Sequence, residues 1–292
     1  MTIDSTLLNN VLHKASRLLD QLNSANNSGK QAPPPEALTL RWRQSQGPQP
    51  LTWECSIDCN DLLHIDLQAK QLLENTQQFV QGFTANNALL WGARGTGKSS
   101  LIQAVLVRFT QQQLHIIEIA HSDFADWIDI VSWLKAHSDK KFILFCDDLS
   151  FNENDSSYKE IKAALDGSLS SLPNNALIYA TSNRRHLLPE KLADNQYAQH
   201  INRDIHHAEA IEEAISLSDR FGLWLSFHAL TQDQYLAIVE HWLKAFGVEQ
   251  DPKEYRELAL RWALQRGSRS GRIANHFARD YAGKFFINAN GL

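Results

Sequence analysis

The sequence contains few cysteines and no excess of positive charge. Cys55 and Cys59 lie four residues apart with no second pair to complete a zinc site, and Cys146 lies in an apolar run. We therefore expect all of these cysteines to be reduced thiols. Basic residues (28) are fewer than acidic residues (33), and the net charge of −5 gives the chain no overall attraction to nucleic acid or to anionic lipid. These values do not exclude a local basic patch.

The sequence also lacks the features that direct a protein into a membrane or out of the cell. No apolar run approaches the roughly 18 residues that a membrane-spanning helix needs, and the N-terminus has no basic region followed by an apolar core. We therefore expect a cytoplasmic protein with no membrane segment. The chain has 292 residues, of which 43% are hydrophobic and 21% charged, values typical of a globular protein with one large or two modest domains.

The most informative stretch is a glycine-rich sequence between an apolar run and a helical pattern. Residues 92–99 read Gly-Ala-Arg-Gly-Thr-Gly-Lys-Ser and match the phosphate-loop pattern Gly-x-x-x-x-Gly-Lys-Ser. Residues 88–91 form the short apolar run of a buried strand, and residues 101–109 carry apolar side chains at helical spacing. Because both flanking elements are present, we predict that this loop binds nucleotide phosphates through its backbone N–H groups and the positive end of the helix.

Side chains of this loop have separate expected roles. Lys98 is expected to reach the β- and γ-phosphates, and the Ser99 hydroxyl is expected to bind Mg²⁺. The residues of this stretch that we assign to nucleotide binding are Gly92, Ala93, Arg94, Gly95, Thr96, Gly97, Lys98, Ser99 and Ser100.

Two carboxylates follow another buried strand. Residues 142–149 read Phe-Ile-Leu-Phe-Cys-Asp-Asp-Leu, so Asp147 lies at the carboxyl end of that strand, where ligands bind in open α/β sheets. We predict that Asp147 holds Mg²⁺ through a water molecule and that Asp148 orients or deprotonates the attacking water. The alternative is a solvated turn at the end of a strand, which the preceding phosphate loop makes the less favoured interpretation.

Further candidates lie after a later strand and at the start of a helix. Asn183 follows an apolar run at 176–180, and its amide can contact the γ-phosphate or the attacking water, although an ordinary Asx turn explains the same residue. Arg269 and Arg272 lie at the start of the last predicted helix, where the helix dipole disfavours a cation unless an anion such as a phosphate is nearby. A solvated basic helix start is the alternative.

The order of strands and helices predicts an α/β fold with a helical addition. Strands are predicted at 88–91, 114–119, 142–146, 176–180 and 223–227. Helical patterns alternate with them, which indicates a five-stranded parallel sheet flanked by helices and joined by right-handed crossovers. Three helices follow, capped at Thr231 and Ser270 and opened by Pro252, and we expect them to form a C-terminal α-helical lid domain.

We expect the chain to divide into three parts. Residues 1–36 comprise an amphipathic helix at 5–23 and a polar, proline-closed linker. Residues 37–229 form the nucleotide-binding domain with an N-terminal extension, and residues 230–292 form the lid.

Three segments of the central part have their own local signals. A hairpin is predicted at 38–53, and a helix is predicted from Asp66, its expected N-cap, to Gly82. The polar stretch at 189–207 has no clear period and is predicted to be a long surface loop.

The order of these motifs resembles that of the AAA+ ATPases. More narrowly, the chain resembles a bacterial family of predicted AAA+ ATPases with no settled biological role. The resemblance lies in four runs, which read Gly-Ala-Arg-Gly-Thr-Gly-Lys-Ser-Ser, Phe-Cys-Asp-Asp-Leu-Ser-Phe, Tyr-Ala-Thr-Ser-Asn-Arg-Arg-His-Leu and Ser-Leu-Ser-Asp-Arg-Phe-Gly-Leu-Trp. The resemblance covers residues 53–281 and leaves the N-terminal helix and linker outside.

The resemblance implies a role for each matching residue. Residues 92–99 match the Walker A motif, Asp147 and Asp148 the Walker B motif, Asn183 the sensor 1 position, Arg220 the arginine finger and Arg272 the sensor 2 arginine. In ring-forming members the finger reaches the γ-phosphate bound by the neighbouring subunit, so the resemblance implies a homo-oligomer, with a ring as one form. A structural ion pair is the alternative role for Arg220. Adenine as the base is also implied only by the resemblance, because the loop contacts phosphates.

One departure from the family pattern concerns the second Walker B acid. That acid is usually Glu in active members, whereas Asp148 is shorter by one methylene group, and catalytic positioning is sensitive to displacements of about 1 Å. Slow turnover is therefore expected.

Three functions are consistent with these residues. The leading hypothesis is a Mg²⁺-dependent ATPase that remodels an unidentified protein partner or complex, with Lys98, Asp148, Asn183 and Arg220 in catalysis. The first rival is an ATP-bound switch or scaffold with negligible turnover. The second rival is a DNA-associated loader, which depends on the basic run at 184–186 and on the lid arginines, and which the acidic net charge disfavours.

Overall fold

The computed structural model describes residues 37–52, 57–150, 161–162, 165, 171–184, 187 and 217–289. The predictions for the N-terminal helix and linker, for the long loop at 189–207, and for Cys55, Arg185 and His186 lie outside these residues. Cys59 and Cys146 are free thiols, and burial raises the pKa of the Cys146 thiol. None of the helices in the described ranges is long and apolar enough to cross a membrane.

Seven strands in the described residues form one sheet. They are β1 (Thr39–Arg43), β2 (Gly47–Pro50), β3 (Ala88–Gly92), β4 (Leu114–Glu118), β5 (Lys141–Cys146), β6 (Ala176–Ser182) and β7 (Leu223–Phe227), in the spatial order β2-β1-β4-β5-β6-β3-β7. All neighbouring pairs are parallel except the β1–β2 hairpin. The α/β fold and the five parallel strands β3–β7 confirm the predicted fold class.

The predicted count of five strands is too low because the hairpin joins the same sheet. Leu40 of β1 pairs in parallel with Ile117 of β4, which places β2 at the outer edge. Leu40 and Trp42 are buried in the core that also contains residues of β4 and β5. The hairpin therefore extends the sheet because its apolar face continues the core beyond β4. Pro48 and Pro50 lie on the edge strand β2.

Helices cover both faces of the sheet. The described stretch between β2 and β5 contains α1 (Asp66–Val80), α2 (Lys98–Phe109) and α3 (Trp127–Ala136). Apolar residues of α1 and α2 pack on one face and those of α3 on the other. The side chains of residues 142–146 in β5 alternate between these two cores, and these residues are all apolar, as expected for a strand buried on both faces.

The predicted N-cap of α1 is wrong by one residue. Ile65 occupies the N-cap position without a side-chain hydrogen bond, and Asp66 is the first residue of the helix. At that position its carboxylate lies in the first helical turn, where negative charge is favoured by the helix dipole. The helix ends at Val80 and is followed by Gly82 at φ +88°, which agrees with the predicted end.

Three C-terminal helices form a separate apolar core. They are α4 (Gln232–Ala245), α5 (Pro252–Gln265) and α6 (Gly271–Ala289). Thr231 Oγ1 accepts a hydrogen bond from the backbone N–H of Gln234 (3.3 Å), and Ser270 Oγ accepts one from that of Ile273 (3.3 Å). The predicted helices and both caps are therefore confirmed. We call α4–α6 the lid, and the division of the chain into domains stays a prediction.

Candidate nucleotide-binding site

The phosphate loop leaves β3 in close contact with the neighbouring strand β7. Gly92 has φ +132°, and a Cβ atom at this position would lie 1.9 Å from the carbonyl oxygen of Phe227. The next residue, Ala93, donates its backbone N–H to the same oxygen (3.1 Å). Only glycine fits at position 92, because the backbones of the loop and β7 approach too closely for a side chain.

The Lys98 ammonium is held by the carbonyl groups of its own loop. Nζ donates to the oxygens of Gly92 (2.8 Å) and Ala93 (2.7 Å) and to Oδ1 of Asn183 (3.2 Å). Burial lowers the pKa of Lys98 to about 8, against the opposing effect of Asp148 and Asp147. The site therefore keeps a positive charge in poorly hydrated surroundings, where an added anion would be strongly attracted.

Two side chains with oxygen atoms suited to binding Mg²⁺ lie next to Lys98. The Ser99 hydroxyl at the start of α2 donates to Oδ1 of Asp147, at the end of β5, over 2.6 Å. Mg²⁺ prefers oxygen ligands and is usually bound by one or two protein groups together with phosphate oxygens and waters. No group of three or more His, Cys, Asp or Glu side chains that could hold a metal exists among the described residues. Ser99 and Asp147 thus fit a magnesium ion that is bound jointly with a nucleotide.

The second carboxylate is held by the candidate sensor amide. Asn183 Nδ2 donates to Oδ1 of Asp148 over 2.5 Å, and the same amide accepts from Lys98 through its oxygen. Asp148 has φ +51°, in the left-handed region that few residues other than glycine adopt. Asn183 therefore connects the phosphate-loop lysine to the acid that is expected to act on water.

A cavity of about 860 Å³ lies between these groups and the lid. Its lining includes all residues of the loop from Arg94 to Ser100, together with Asp147, Asp148, Asn183 and Arg272. The structure thus brings these predicted site residues together around one space. Gly92 and Ala93 shape the entry to the loop and are not among the lining residues.

The lid touches the phosphate loop directly. The backbone N–H of Arg272 donates to the carbonyl oxygen of Gly95 (3.3 Å). Gly95 has φ +72°, and a Cβ atom there would lie 2.8 Å from Ser270 Oγ and 3.3 Å from the Cβ atom of Arg272. The start of α6 therefore lies against the loop, with the Arg272 side chain on the cavity wall.

Arg220 lies at the end of the sheet opposite the phosphate loop. It precedes β7, whose first residue, Leu223, pairs with Ala88 at the start of β3, whereas Gly92 at the end of β3 pairs with Phe227. Because a strand rises about 3.3 Å per residue, the two ends of β3 are roughly 13 Å apart. Arg220 is not among the residues that line the cavity of its own chain.

Sequence reasoning missed the apolar end of the cavity. Leu62 and Ile65, which precede α1, line it together with Ile238 and Trp242 of α4 and with Phe246, which follows α4. Trp242 and Phe246 are stacked, with their ring centroids 5.9 Å apart. These residues carry only the ordinary core pattern of a helix, so no local signal distinguishes them from packing residues.

Helix α6 presents more than the predicted arginine to the cavity. Asn275, His276 and Arg279 also line it, and with Arg272 they occupy one face of the helix at spacings of three, four and seven residues. The helical period could have identified these residues once Arg272 was assigned.

A polar contact joins the lid to the body beside the cavity. His241 Nε2 on α4 and Oδ1 of Asp61 lie 3.1 Å apart, and Asp61 lines the cavity. Neither residue belongs to a recognised motif, and 180 residues separate them in the chain. Only the folded structure could reveal this pair.

The family of this chain is shown by one family model, and solved structures bear on its fold. A family model described as "Protein of unknown function (DUF815)" matches residues 35–285. A comparison with curated proteins returned no match. Among solved structures, the Aeropyrum pernix ORC1 protein in complex with DNA has 15% identity and a TM-score of 0.51, and the match covers 78% of this chain and 61% of that one.

Two further solved structures match this chain with lower TM-scores. The FIGL-1 AAA domain in complex with ADP is 18% identical (TM-score 0.49), with 79% of this chain and 74% of that one covered. The Thermotoga maritima RuvB Holliday junction branch migration motor is 17% identical (TM-score 0.45), with 73% of this chain covered. The chain spans only 60% of the length of that RuvB chain. At these identities the likeness concerns the fold alone.

Proposed function

The chain belongs to the DUF815 family and has the fold of the AAA+ P-loop ATPases, and we propose that it binds ATP with Mg²⁺ in the cavity beneath the lid and hydrolyses it to ADP and phosphate. One observation carries this proposal. The phosphate loop, two carboxylates, the Asn183 amide and a lid arginine all line one cavity, although they come from distant parts of the chain. Phosphoryl transfer to water requires an anion-binding loop, oxygen atoms that bind a metal ion and a carboxylate that acts on water, all at one place.

Binding of the triphosphate would use the loop and its lysine. The N-terminus of α2 and the loop N–H groups supply partial positive charge, as in other phosphate loops. Lys98 would exchange its contacts with the carbonyl oxygens of Gly92 and Ala93 for phosphate oxygens. Ser99 and Asp147 would hold Mg²⁺, which neutralises charge on the β- and γ-phosphates when bound.

The base would lie at the apolar end of the cavity. Trp242, Phe246, Leu62 and Ile65 line the same cavity and offer flat and aliphatic surfaces for a planar ring. Adenine in particular is inferred from the fold family.

Hydrolysis would depend on Asp148 and on a neighbouring subunit. The hydrogen bond from Asn183 fixes the Asp148 carboxylate, which would orient the attacking water. Arg220 precedes β7, at the end of that strand opposite the phosphate loop, and does not line the cavity of its own chain, so we infer that it acts on the nucleotide of an adjacent copy. This role implies a homo-oligomer, and a ring is its simplest closed form.

The test is the rate of ATP hydrolysis as a function of protein concentration. We expect the specific activity of the wild type to rise with concentration, Lys98→Ala to lose nucleotide binding, and Arg220→Ala to bind ATP but lose at least about 100-fold in turnover. Arg256→Ala is the matched control, because Arg256 is an exposed lid arginine paired with Asp233. Unchanged binding and hydrolysis in Lys98→Ala would refute the proposal.

A switch with negligible turnover is the second candidate function. It is favoured by Asp148, which is shorter than the usual Glu and is already engaged by Asn183. If the wild type binds ATP but does not hydrolyse it at any concentration, and Asp148→Asn has no further effect, the lid would act as a nucleotide-dependent docking element. Remodelling of a protein partner is inferred from the fold family alone. DNA forms no part of the proposal, because the net charge is −5.

A further inference from the structure

We propose that Thr181 is a positioning residue that orients both acids of the site, Asp147 and Asp148, through one hydroxyl group. Thr181 lies near the carboxyl end of β6, lines the cavity and is 2% exposed. The inference rests on the proposed function, because the orientation of these acids matters for the nucleotide-bound metal and for the attacking water.

The Thr181 hydroxyl is hydrogen-bonded to both acidic residues. Oγ1 donates to Oδ1 of Asp147 over 2.6 Å and accepts from the backbone N–H of Asp148 over 2.9 Å. A hydroxyl has one donor and two acceptor positions, so both bonds form at the same time. The Thr181 carbonyl oxygen also accepts from the backbone N–H of Leu149 (2.7 Å). One residue therefore contacts three consecutive residues of the turn after β5.

The turn that Thr181 contacts has an unfavourable backbone conformation. Asp148 has φ +51°, which brings the Cβ atom of an L-residue close to its own carbonyl oxygen. Such a conformation persists only where neighbouring groups hold it. The bond from the Asp148 N–H to Thr181 Oγ1 is one such restraint, and it determines the direction in which the Asp148 side chain leaves the backbone.

The strand period explains why two residues near the end of β6 reach two different acids. Thr181 and Asn183 are two residues apart, and alternate residues of an extended chain point to the same side. Thr181 contacts Asp147, whereas Asn183 contacts the carboxylate of Asp148. Ser182 lies between them, and its hydroxyl instead accepts the backbone N–H of Arg184 (3.1 Å). Thr181 therefore donates a hydrogen bond to the carboxylate of Asp147, which is expected to bind the metal, just as Asn183 donates one to the carboxylate of Asp148.

A purely structural role for this hydroxyl makes a different prediction, and the chain supplies a matched control. A buried hydroxyl must be hydrogen-bonded wherever it lies, so its removal lowers stability at any site. Thr76 on α1 is fully buried, and its Oγ1 bonds to Leu72 O (2.7 Å) and to the Tyr179 hydroxyl (2.8 Å). It is not among the residues that line the cavity. Thr76→Val therefore removes an equivalent hydroxyl away from the acids.

The experiment compares Thr181→Val, Thr181→Ser and Thr76→Val with the wild type. Binding of a fluorescent ATP analogue is titrated in EDTA and at increasing Mg²⁺ concentration, and kcat, KM and Tm are measured alongside. For Thr181→Val we expect binding in EDTA within about twofold of the wild type. The Mg²⁺ concentration that gives half of the Mg²⁺-dependent change in affinity for the analogue should rise about tenfold. The kcat should fall about 10–100-fold, with little change in KM. Thr181→Ser should recover to within about threefold of the wild type, and Thr76→Val should lower only Tm.

Each other outcome has a defined meaning. If Thr181→Val lowers Tm as Thr76→Val does and leaves the Mg²⁺ response unchanged, or if Thr181→Ser fails to restore that response, the positioning role is overturned. If Thr181→Val does not fold, Thr181→Ala carries the same test with a smaller side chain. A wild type that binds ATP with a Mg²⁺ response but does not hydrolyse it would overturn the proposed hydrolysis, while the Mg²⁺ titration still decides the role of Thr181. A wild type with no Mg²⁺ response would overturn both.

Discussion

At the scale of single residues, the ammonium group of Lys98 makes nucleotide binding sensitive to pH. Burial lowers its pKa to about 8, and a phosphate next to the ammonium would raise that pKa again. Above about pH 8, binding must therefore take up a proton. We predict that the Kd for MgATP rises with pH above this value, by up to about tenfold per pH unit, in a binding titration between about pH 7 and 9.5.

The control for this prediction is Lys98→Arg. The guanidinium does not titrate in this range, so the variant should bind with a Kd that does not depend on pH, whatever its absolute affinity. A wild-type Kd that stays constant up to about pH 9.5 would show that Lys98 keeps its proton both with and without bound MgATP, which would contradict the prediction.

The individual site residues differ in how far the sequence could reveal them. The loop from Gly92 to Ser99 was predictable because the motif and its flanking strand and helix are contiguous. Asp147, Asp148 and Asn183 were predictable because polar residues directly after buried strands gather at one edge of a parallel sheet. Trp242 was not, because its contribution to the cavity depends on the placement of the lid, and no local pattern encodes that placement.

At the scale of elements, the contact between α6 and the phosphate loop leads to a prediction about glycine. Gly95→Ala would place a Cβ atom 2.8 Å from Ser270 Oγ and 3.1 Å from Ser270 Cβ, so we expect the lid to move away from the loop. Gly267 is the matched control, because its φ of +70° is close to the +72° of Gly95 and nothing lies within 4 Å of its added Cβ atom. Both variants should lose about 1 kcal/mol of stability from the left-handed conformation.

Only Gly95→Ala should also weaken nucleotide binding, by about tenfold or more, because the Arg272 side chain leaves the cavity with the lid. Chemical denaturation and ATP-analogue titration of the two variants measure the two effects separately. Equal nucleotide affinities in both variants would mean that the contact between the lid and the loop is not needed for binding.

The Asp61–His241 contact should hold the lid over a bound nucleotide. The pair lies 3.1 Å apart and is partly exposed, and such pairs contribute up to about 1 kcal/mol. We predict that His241→Gln increases the dissociation rate of the nucleotide by up to about fivefold in stopped-flow displacement, since the lid opens more often. Lys244→Gln should have no effect, because Lys244 and Glu240 form an exposed pair within α4. Equal rates in both variants would contradict this role of the bridge.

The elements themselves were largely predictable, with one exception. The lid helices carry clear signals at their ends, namely Thr231 with Gln234, Pro252 and Ser270, and each signal acts within a few residues of the helix it starts. The hairpin at β1 and β2 was predicted as a local structure, but its place beside β4 was not. Alternation of apolar residues identifies the buried face of a strand and does not identify its partner.

At the scale of the whole molecule, the separation of Arg220 from its own cavity predicts complementation between inactive variants. Lys98→Ala lacks a working phosphate loop but keeps Arg220, whereas Arg220→Ala has the reverse defect. In an equal mixture that assembles at random, about one quarter of the sites combine an intact Lys98 with an intact neighbouring Arg220. We therefore expect the mixture to recover up to about a quarter of the wild-type ATPase rate.

Each variant alone, at the same total concentration, provides the baseline for this measurement. A mixture of Lys98→Ala with Lys98→Ala,Arg220→Ala should stay inactive, because no subunit then binds nucleotide productively. If mixing the two single variants restores nothing while wild-type subunits added to Arg220→Ala do exchange, Arg220 does not act between subunits.

The prolines of β2 oppose the pairing of this edge of the sheet with a strand of another copy of the protein. Pro48 and Pro50 lie on the outermost strand and have no N–H group to offer an incoming strand. This border of the sheet is therefore a poor template for the strand-to-strand pairing that leads to fibrils and amorphous aggregates. The high protein concentrations needed to detect cooperation between subunits should consequently be accessible without precipitation that begins at this edge.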